Sequence, residues 1–348
     1  MRKKFLCIFL TLLFVLGVTS CSQNKDSTAG KDTGNREIKV IDVIGKEVTL
    51  KAPAKKVVGT HNPSLNTVVV IGGGGKYLAG FGNKDMARGL YENVIDGYND
   101  LPQIGKGKDI NMETVVGLGA DLAVIPERFA SQAETYQSSD VPALVVLPND
   151  ENFDTVSNAL KIVGKALGED QRANDITSFI DTKLNEISDK VASAPKKPSI
   201  LFLGGTNALS VAPNAMIQTY IIEKAGGKNA VSGIDKKGEF ADVSIEEIIE
   251  WNPDIIWVPS YAKYSVDDLL NDPAWSSIKA VQDKAVYVFP SAMEPWDYPT
   301  ASSILGVCWA ANNLHGDLYN TDSFMKDVDA FYQMVYGKTF TKEQLGLH

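Results

Sequence analysis

Short apolar runs alternate along this chain with longer segments in which apolar residues recur at helical spacing. Strands that alternate with helices in this way are typical of parallel α/β layers, because a crossover between parallel strands usually contains a helix. The sequence therefore predicts an α/β protein. The candidate strands are residues 56–60, 121–126, 143–148, 199–205, 254–259 and 285–290.

A long amphipathic segment separates the third candidate strand from the fourth. Its apolar residues fall on one helical face, charged residues occupy the opposite face, and nothing breaks the pattern before Pro195. One stiff helix, residues 166–194, is therefore expected to join two Rossmann-like α/β lobes, residues 37–165 and 195–348. The apolar face consists of Ile176, Phe179, Ile180, Leu184, Ile187 and Val191.

A helix-strand unit occurs twice, in residues 111–126 and again in residues 244–259. At a constant offset of 133 residues, Glu246 corresponds to Glu113. In the second copy, Ser244 and Glu247 form a capping-box pattern that predicts a helix start. Two related lobes explain this repetition better than coincidence does.

A second repetition, at an offset of 152 residues, relates the segment from Thr67 to the segment from Thr219, each with a Gly-Gly-Lys turn. The glycines at 72–75 before Lys76 are superficially similar to a phosphate-binding loop. Tyr77, however, stands where such a loop needs Ser or Thr, and the preceding segment has a helical pattern rather than a strand pattern. A glycine turn that ends a helix is the better interpretation.

The amino terminus has the form of a bacterial lipoprotein signal. Basic residues precede an apolar run that is too short to remain as a membrane anchor, and small residues precede Cys21. Residues 1–20 are expected to be a signal peptide and Cys21 a lipidation site, with a plain signal and a chance cysteine as the alternative. Residues 21–36 are polar, as in a flexible tether.

Composition narrows the classes of function. The chain carries 34 Lys and Arg against 43 Asp and Glu, a net charge of −9, so nucleic acid is not an expected partner. Cys308 would be the lone cysteine of the body, which excludes a disulfide framework. The chain has 3 histidines, too few for a site that binds a bare transition metal, and no familiar hydrolase motif. Neither enzyme activity nor a cofactor is predicted.

Together, the lipoprotein signal, the two helix-linked lobes and the repeated unit resemble the substrate-binding proteins of ATP-driven importers for iron siderophores, haem and vitamin B12. The resemblance covers essentially the whole mature chain, and residues 292–315 look like the segment that enters a late helix of the second lobe. It implies a ligand cleft between the lobes and, on each lobe, a surface glutamate that docks on arginines of the permease. Glu113 in "NME" and Glu246 in "SIE" match these positions. Stabilisation of the helix dipole is their alternative role.

Ligand contacts are expected from residues that follow strands, because the carboxyl ends of parallel strands border the crevice of an α/β sheet. A guanidinium at Arg88 or Arg128 could bind ligand oxygens in pairs, and Trp296 or Tyr298 could stack on a flat chelate. Surface and packing roles remain open for all four. The predicted ligand-binding residues are His61, Asn62, Ser64, Arg88, Glu127, Arg128, Thr206, Asn207, Tyr261, Trp296 and Tyr298.

The expected function is capture of an iron chelate, haem or corrinoid and its delivery to an ABC permease dimer with its ATPase. The protein is expected to be a monomer, held by its lipid on the outer face of the cytoplasmic membrane. A small oxyanion such as molybdate or tungstate is the alternative ligand. A lipid-tethered surface enzyme and an adhesin without a small ligand are the alternatives from other classes.

Overall fold

The computed structural model describes residues 37–84 and 89–347. The predicted signal peptide, the Cys21 lipidation site, the tether and Arg88 therefore lie outside the described residues. Across the two described ranges, no helix combines the length and the apolar character that a membrane crossing requires.

Short strands and helices alternate along the described chain. The strands are β1 (Ile38–Ile41), β2 (Glu47–Leu50), β3 (Val57–Val58), β4 (Gly105–Lys106), β5 (Asp109–Ile110), β6 (Leu122–Pro126), β7 (Ala143–Leu147), β8 (Ser199–Phe202), β9 (Ser210–Val211), β10 (Lys228–Asn229), β11 (Ala241–Asp242), β12 (Ile255–Pro259) and β13 (Val286–Phe289). The helices are α1 (Asn62–Gly72), α2 (Gly89–Val94), α3 (Met112–Gly117), α4 (Gln132–Gln137), α5 (Phe153–Leu167), α6 (Asp170–Val191), α7 (Ile217–Lys224), α8 (Ile245–Trp251), α9 (Val266–Asn271), α10 (Lys279–Gln282), α11 (Ser303–Leu314), α12 (Thr321–Tyr336) and α13 (Lys342–Leu345).

Each lobe is built on a parallel sheet. The amino-terminal lobe contains the order β3-β6-β7, and the carboxy-terminal lobe contains the order β10-β8-β12-β13. All the candidate strands of the sequence are confirmed, as β3, β6, β7, β8, β12 and β13. The fold is thus α/β, with two lobes joined by a long helix.

Alternate residues of each central strand serve two different cores. On β6, Leu122 and Val124 enter a large core that extends through both lobes, whereas Ala123 and Ile125 enter a smaller core within the amino-terminal lobe. On β12, Trp257 enters the large core, and its neighbours on the strand enter a core of the carboxy-terminal lobe. This period of two follows from the pleat of a strand that is covered on both faces.

The predicted connecting helix is confirmed as α6. It begins at Asp170, because Gly168 adopts the left-handed conformation (φ 72°) that ends α5. The predicted apolar face is buried, except that Phe179 is partly exposed and packs against Phe331 with ring centroids 6.1 Å apart. Helix α6 is therefore a packed part of the shared core.

Both repetitions found in the sequence correspond to repeated structure. Helices α3 and α8 each begin at a capping side chain, where Asn111 accepts from the Thr114 N–H (3.0 Å) and Ser244 from the Glu247 N–H (3.2 Å). Each helix is followed by an interior strand of its lobe's parallel sheet, β6 or β12. The predicted glycine turn is also confirmed, because Gly73 (φ 67°) caps the end of α1.

Candidate functional site

A cavity of about 310 Å³ opens between the two lobes at the carboxyl ends of parallel strands. The amino-terminal lobe contributes the segments that follow β3, β6 and β7, and the carboxy-terminal lobe contributes the segment that follows β13. Crevices at this edge of α/β sheets commonly bind ligands. The cavity is lined by Thr60, His61, Asn62, Pro63, Asn83, Gly107, Arg128, Phe129, Glu151, Met216, Gln218, Gly238, Glu239, Phe240, Asp297, Tyr298 and Pro299.

His61 and Arg128 form a polar pair on one wall of the cavity. The Arg128 Nη2 atom lies 2.5 Å from His61 Nε2, and His61 Nδ1 lies 2.8 Å from Ser64 Oγ. A guanidinium can only donate, so Nε2 accepts from Arg128, while Nδ1 faces both the Ser64 hydroxyl and the Ser64 backbone N–H (3.3 Å) at the start of α1. Burial, reinforced by the Arg128 charge, holds the pKa of His61 well below its usual range. The imidazole is therefore neutral, and Arg128 supplies the positive charge of this wall.

The Arg128 guanidinium is exposed and lies over the Phe129 ring, 5.6 Å from its centroid. Its Nη1 atom also approaches the Gly238 carbonyl oxygen of the other lobe, at 3.5 Å. Arg128 lines the cavity, and a guanidinium has five N–H donors, more than these contacts use, so it can bind an anionic oxygen pair.

Buried carboxylates also line the cavity. Burial raises the pKa of Glu151 to about 7, although the Arg128 charge and the Ile217 backbone N–H partly oppose this shift. Asp297 is fully buried and accepts hydrogen bonds from the Tyr261 hydroxyl and from Ser291 Oγ (2.7 Å). Among the described residues, the lining thus combines the Arg128 guanidinium with acidic groups and is not uniformly positive.

Amide oxygens add hydrogen-bond acceptors to the cavity lining. The Oδ1 atoms of Asn62 and Asn83 and the Oε1 atom of Gln218 are buried without a partner among the described residues. Buried polar atoms are normally paired, so these oxygens are suited to a ligand or a water that donates. The Gln218 amide nitrogen is already engaged with the Asp297 carbonyl oxygen at 2.9 Å.

A small chamber of about 20 Å³ adjoins the main cavity, with Asn62 and Tyr298 contributing to both. Glu294 lies in its wall and is 4% exposed. Burial raises the pKa of Glu294 to about 7, partly opposed by hydrogen bonds from Ser302 and Tyr332. The chamber can hold about one water molecule, which would contact buried acceptors of both lobes.

The structure brings four of the predicted ligand-binding residues to the cavity and leaves others away from it. The residues that line the cavity are His61, Asn62, Arg128 and Tyr298. Ser64 is buried behind His61, and Thr206 and Asn207 are exposed outside the cavity, where the Asn207 side chain accepts from the Leu209 N–H.

The remaining predicted side chains are engaged in structural contacts. Glu127 accepts from the Asn149 N–H at 2.8 Å and so holds the loop after β7. Tyr261 supports Asp297 from behind the lining. The Trp296 indole is 1% exposed and donates to the Tyr332 hydroxyl at 3.0 Å, so it cannot stack on a ligand in the cavity.

Several lining residues were missed by the sequence analysis. Glu151 follows the predicted strand β7, and the rule applied to the other strands would have found it. Asp297 lies between two aromatic candidates, and its burial could have been suspected from their apolar surroundings. Gln218 and Phe240 follow no predicted strand, and the sequence carries no signal for them.

Glu113 and Glu246 both lie in the first turn of an exposed short helix, α3 and α8 respectively. Neither forms an ion pair with another described residue. The two glutamates are thus placed equivalently in the two lobes, outside the cavity lining.

Comparison with known proteins agrees with this architecture. A family model for periplasmic binding proteins matches residues 57–293. The chain belongs to the periplasmic binding protein family. A periplasmic solute-binding protein of Veillonella parvula has a similar structure, with a TM-score of 0.76 at 24% identity over 89% of this chain and 96% of that one.

Curated relatives of this periplasmic binding protein are distant in sequence but similar in length. The molybdate-binding protein MolA of Haemophilus influenzae is 22% identical over 86% of this chain and 91% of its own. The Fe(3+)-citrate-binding protein YfmC of Bacillus subtilis is 20% identical over 82% and 89%. These relatives and the structural neighbours are solute-binding proteins and not enzymes. This periplasmic binding protein is accordingly an extracytoplasmic substrate-binding component of an ABC importer.

Proposed function

We propose that this protein captures an iron chelate, a class that includes ferric siderophores, haem and related metal macrocycles such as corrinoids. The observation that supports this ligand class is the cavity itself. Its volume of about 310 Å³ and its aromatic walls, formed by Phe129, Phe240 and Tyr298, suit a ligand with organic surface. A bare tetrahedral oxyanion would leave most of this volume without contact.

Arg128 is the residue that would bind an anionic oxygen pair of such a chelate. The unpartnered amide oxygens of Asn62, Asn83 and Gln218 would accept from ligand hydroxyl or amide groups. Because α6 packs into a core that both lobes share, lobe closure is expected to be small and affinity to come from a largely preformed site. Cys21 would carry the lipid that holds the protein at the membrane.

Titration calorimetry with ferric citrate, a ferric catecholate siderophore, haemin and molybdate tests the ligand class. We expect saturable 1:1 binding of an iron chelate, weakened about tenfold or more by Phe240→Ala. Tyr287→Ala is the matched control, because Tyr287 is an aromatic residue that is 41% exposed on β13 and does not line the cavity. Binding of none of the iron compounds would contradict the proposal.

A small oxyanion is the second candidate, favoured by one observation. The molybdate-bound structure of MolA aligns with this chain at a TM-score of 0.76 over 87% of its length, at 19% identity. The His61–Arg128 pair would then provide the charged wall for the anion. Nanomolar binding of molybdate in the same titration, without binding of any iron compound, would favour this candidate over the chelate.

A further inference from the structure

Three buried side chains of the cavity lining carry oxygen acceptors. Glu151 is 7% exposed, Gln218 is 2% exposed and Asp297 is fully buried. Burial and, more weakly, the Asp297 charge raise the pKa of Glu151, so these two carboxyl groups lie near each other. The Gln218 amide nitrogen donates to the Asp297 carbonyl oxygen at 2.9 Å. Together, Glu151, Gln218 and Asp297 form an acidic corner of the cavity.

Backbone and hydroxyl groups hold the carboxylates of the acidic corner in place. The Glu151 carboxylate accepts from the Ile217 N–H at the start of α7, and the Glu151 N–H donates to the Ala215 carbonyl oxygen at 3.3 Å. Asp297 accepts from Ser291 Oγ at 2.7 Å. Groups fixed before a ligand arrives bind it with a smaller loss of conformational entropy.

The acidic corner has more negative charge than the cavity lining balances. Arg128 is the only cation among the described residues that line the cavity, and three acids line it too. These acids are Glu151, Glu239 and Asp297. A buried carboxylate is costly unless a cation or several donors pair with it. A ligand that brings a positive charge to the acidic corner would offset this cost.

A primary ammonium group matches the acidic corner in both charge and number of hydrogen bonds. It has three N–H donors, and the corner offers two carboxylates and Gln218 Oε1. This amide oxygen is buried without a partner among the described residues. A water molecule could donate to it but would leave the negative charge unbalanced. A metal ion is less suited, because the described ranges contain no group of three or more His, Cys, Asp or Glu side chains that could hold one.

We propose that the acidic corner binds a primary ammonium group of the ligand, which therefore carries a basic nitrogen as well as the anionic oxygens that Arg128 binds. This ammonium subsite rests on the proposed capture of an iron chelate and narrows that class. Chelates whose charges are all negative should bind more weakly than chelates with an ammonium group.

A charge series built on one chelate tests the ammonium subsite by titration calorimetry. The probes are a linear ferric trihydroxamate with a terminal primary ammonium, its N-acetyl derivative and its N-succinyl derivative, whose chain ends are positive, neutral and negative. We expect the ammonium compound to bind about tenfold or more tightly than the N-acetyl compound, and the N-succinyl compound to bind most weakly. Glu151→Gln should reduce the preference for the ammonium compound to less than about twofold. Glu223→Gln is the matched control, because Glu223 is an exposed glutamate of α7 that does not line the cavity.

A metal-free probe tests the acidic corner without any iron compound. We expect n-pentylammonium chloride to raise the midpoint of thermal unfolding of the natural protein and of Glu223→Gln in a saturable manner, because it binds the folded state. Glu151→Gln should show no such rise. Choline chloride at the same concentration is the control for ionic strength, since its quaternary ammonium has no N–H donor.

The possible outcomes separate the ammonium subsite from the proposed ligand class. Equal affinity across the charge series, tightest binding of the N-succinyl compound, or a preference that survives in Glu151→Gln would overturn the subsite and leave the iron chelate in place. Stabilisation by n-pentylammonium of a protein that binds none of the iron compounds would uphold the subsite and overturn the iron chelate. Absence of binding in both experiments would count against both. If Glu151→Gln does not fold, the order of affinities in the natural protein decides.

Discussion

Arg128 and Arg172 differ in their surroundings, since Arg128 is exposed at the cavity and Arg172 is partly buried between helices. Arg172 donates to the carbonyl oxygens of Ile71 (2.8 Å) and Val335 (2.5 Å), which joins the ends of α1 and α12. We expect Arg172→Met to lower the free energy of unfolding by about 1–3 kcal/mol, because it leaves these part-buried carbonyl groups unsatisfied.

The matched variant Arg128→Met removes an exposed guanidinium and should change stability by less than about 0.5 kcal/mol while weakening ligand binding. Urea denaturation and calorimetry on both variants measure the two effects. Equal losses of stability in both variants would contradict the separation of roles.

Because of Glu294, the free energy of unfolding should fall as the pH rises. Burial raises its pKa in the folded protein to about 7, so the folded state binds this proton more tightly than the unfolded chain does. The stabilisation is complete below the unfolded pKa of about 4.3 and is lost as the pH rises to about 7. Glu294→Gln should therefore be more stable than the natural protein at pH 8, by a few kcal/mol at most. The difference in the free energy of unfolding between the two proteins should shrink toward pH 4.5. Urea denaturation at several pH values measures it, and a difference that stays constant with pH would refute this expectation.

Sequence reasoning could locate only those residues of the site that come soon after a parallel strand. His61 and Arg128 were found because each comes directly after a parallel strand, where topology determines the edge on which a residue lies. Trp296 satisfied the same rule, but its indole turns into the core toward Tyr332, and the direction of a side chain is not encoded by its position after a strand. Gln218 reaches the cavity from α7, which only the tertiary packing reveals.

At the scale of elements, the buried parallel strands and α6 were predictable because their apolar patterns are long. The antiparallel pairs β4–β5 and β9–β11 contain strands of two residues, too short for an alternation to be recognised. The start of α6 at Asp170 depends on the left-handed conformation of Gly168, which divides an otherwise continuous helical pattern into α5 and α6.

The close packing of α5 against α6 depends on Gly164. A Cβ atom at this position would lie 2.5 Å from the Ala173 Cβ atom. Gly164→Ala should therefore destabilise the protein by about 1–3 kcal/mol, although alanine favours a helix over glycine by about 1 kcal/mol. Ala173→Gly in the same chain should relieve part of this loss.

Gly117→Ala is the control for this packing contact. Gly117 is also helical, and a Cβ atom there would meet nothing within 4 Å. This variant is expected to keep or slightly raise the midpoint of urea unfolding. A similar destabilisation by both alanine variants would show that the effect does not arise from the contact between α5 and α6.

At the scale of the whole molecule, the large core joins the two lobes into one unit. It includes Leu122 of β6 in the amino-terminal lobe and Trp257 of β12 in the carboxy-terminal lobe. Each lobe also has a smaller core on the other face of its sheet, but the large core runs through α5, α6, α11 and α12 and is shared by both lobes. Unfolding should accordingly be one cooperative transition.

The positions of the tryptophans make this cooperativity measurable. All 5 tryptophans lie between residues 251 and 309, so intrinsic tryptophan fluorescence reports only on the carboxy-terminal half. Leu122→Ala removes a fully buried side chain from the other lobe and should cost about 2–5 kcal/mol. If the lobes unfold together, the fluorescence midpoint in urea should shift as far as the circular dichroism midpoint does. An unchanged fluorescence midpoint together with a two-step dichroism curve would mean that the lobes unfold independently. The stability of the carboxy-terminal lobe would then not depend on the side chain lost from β6.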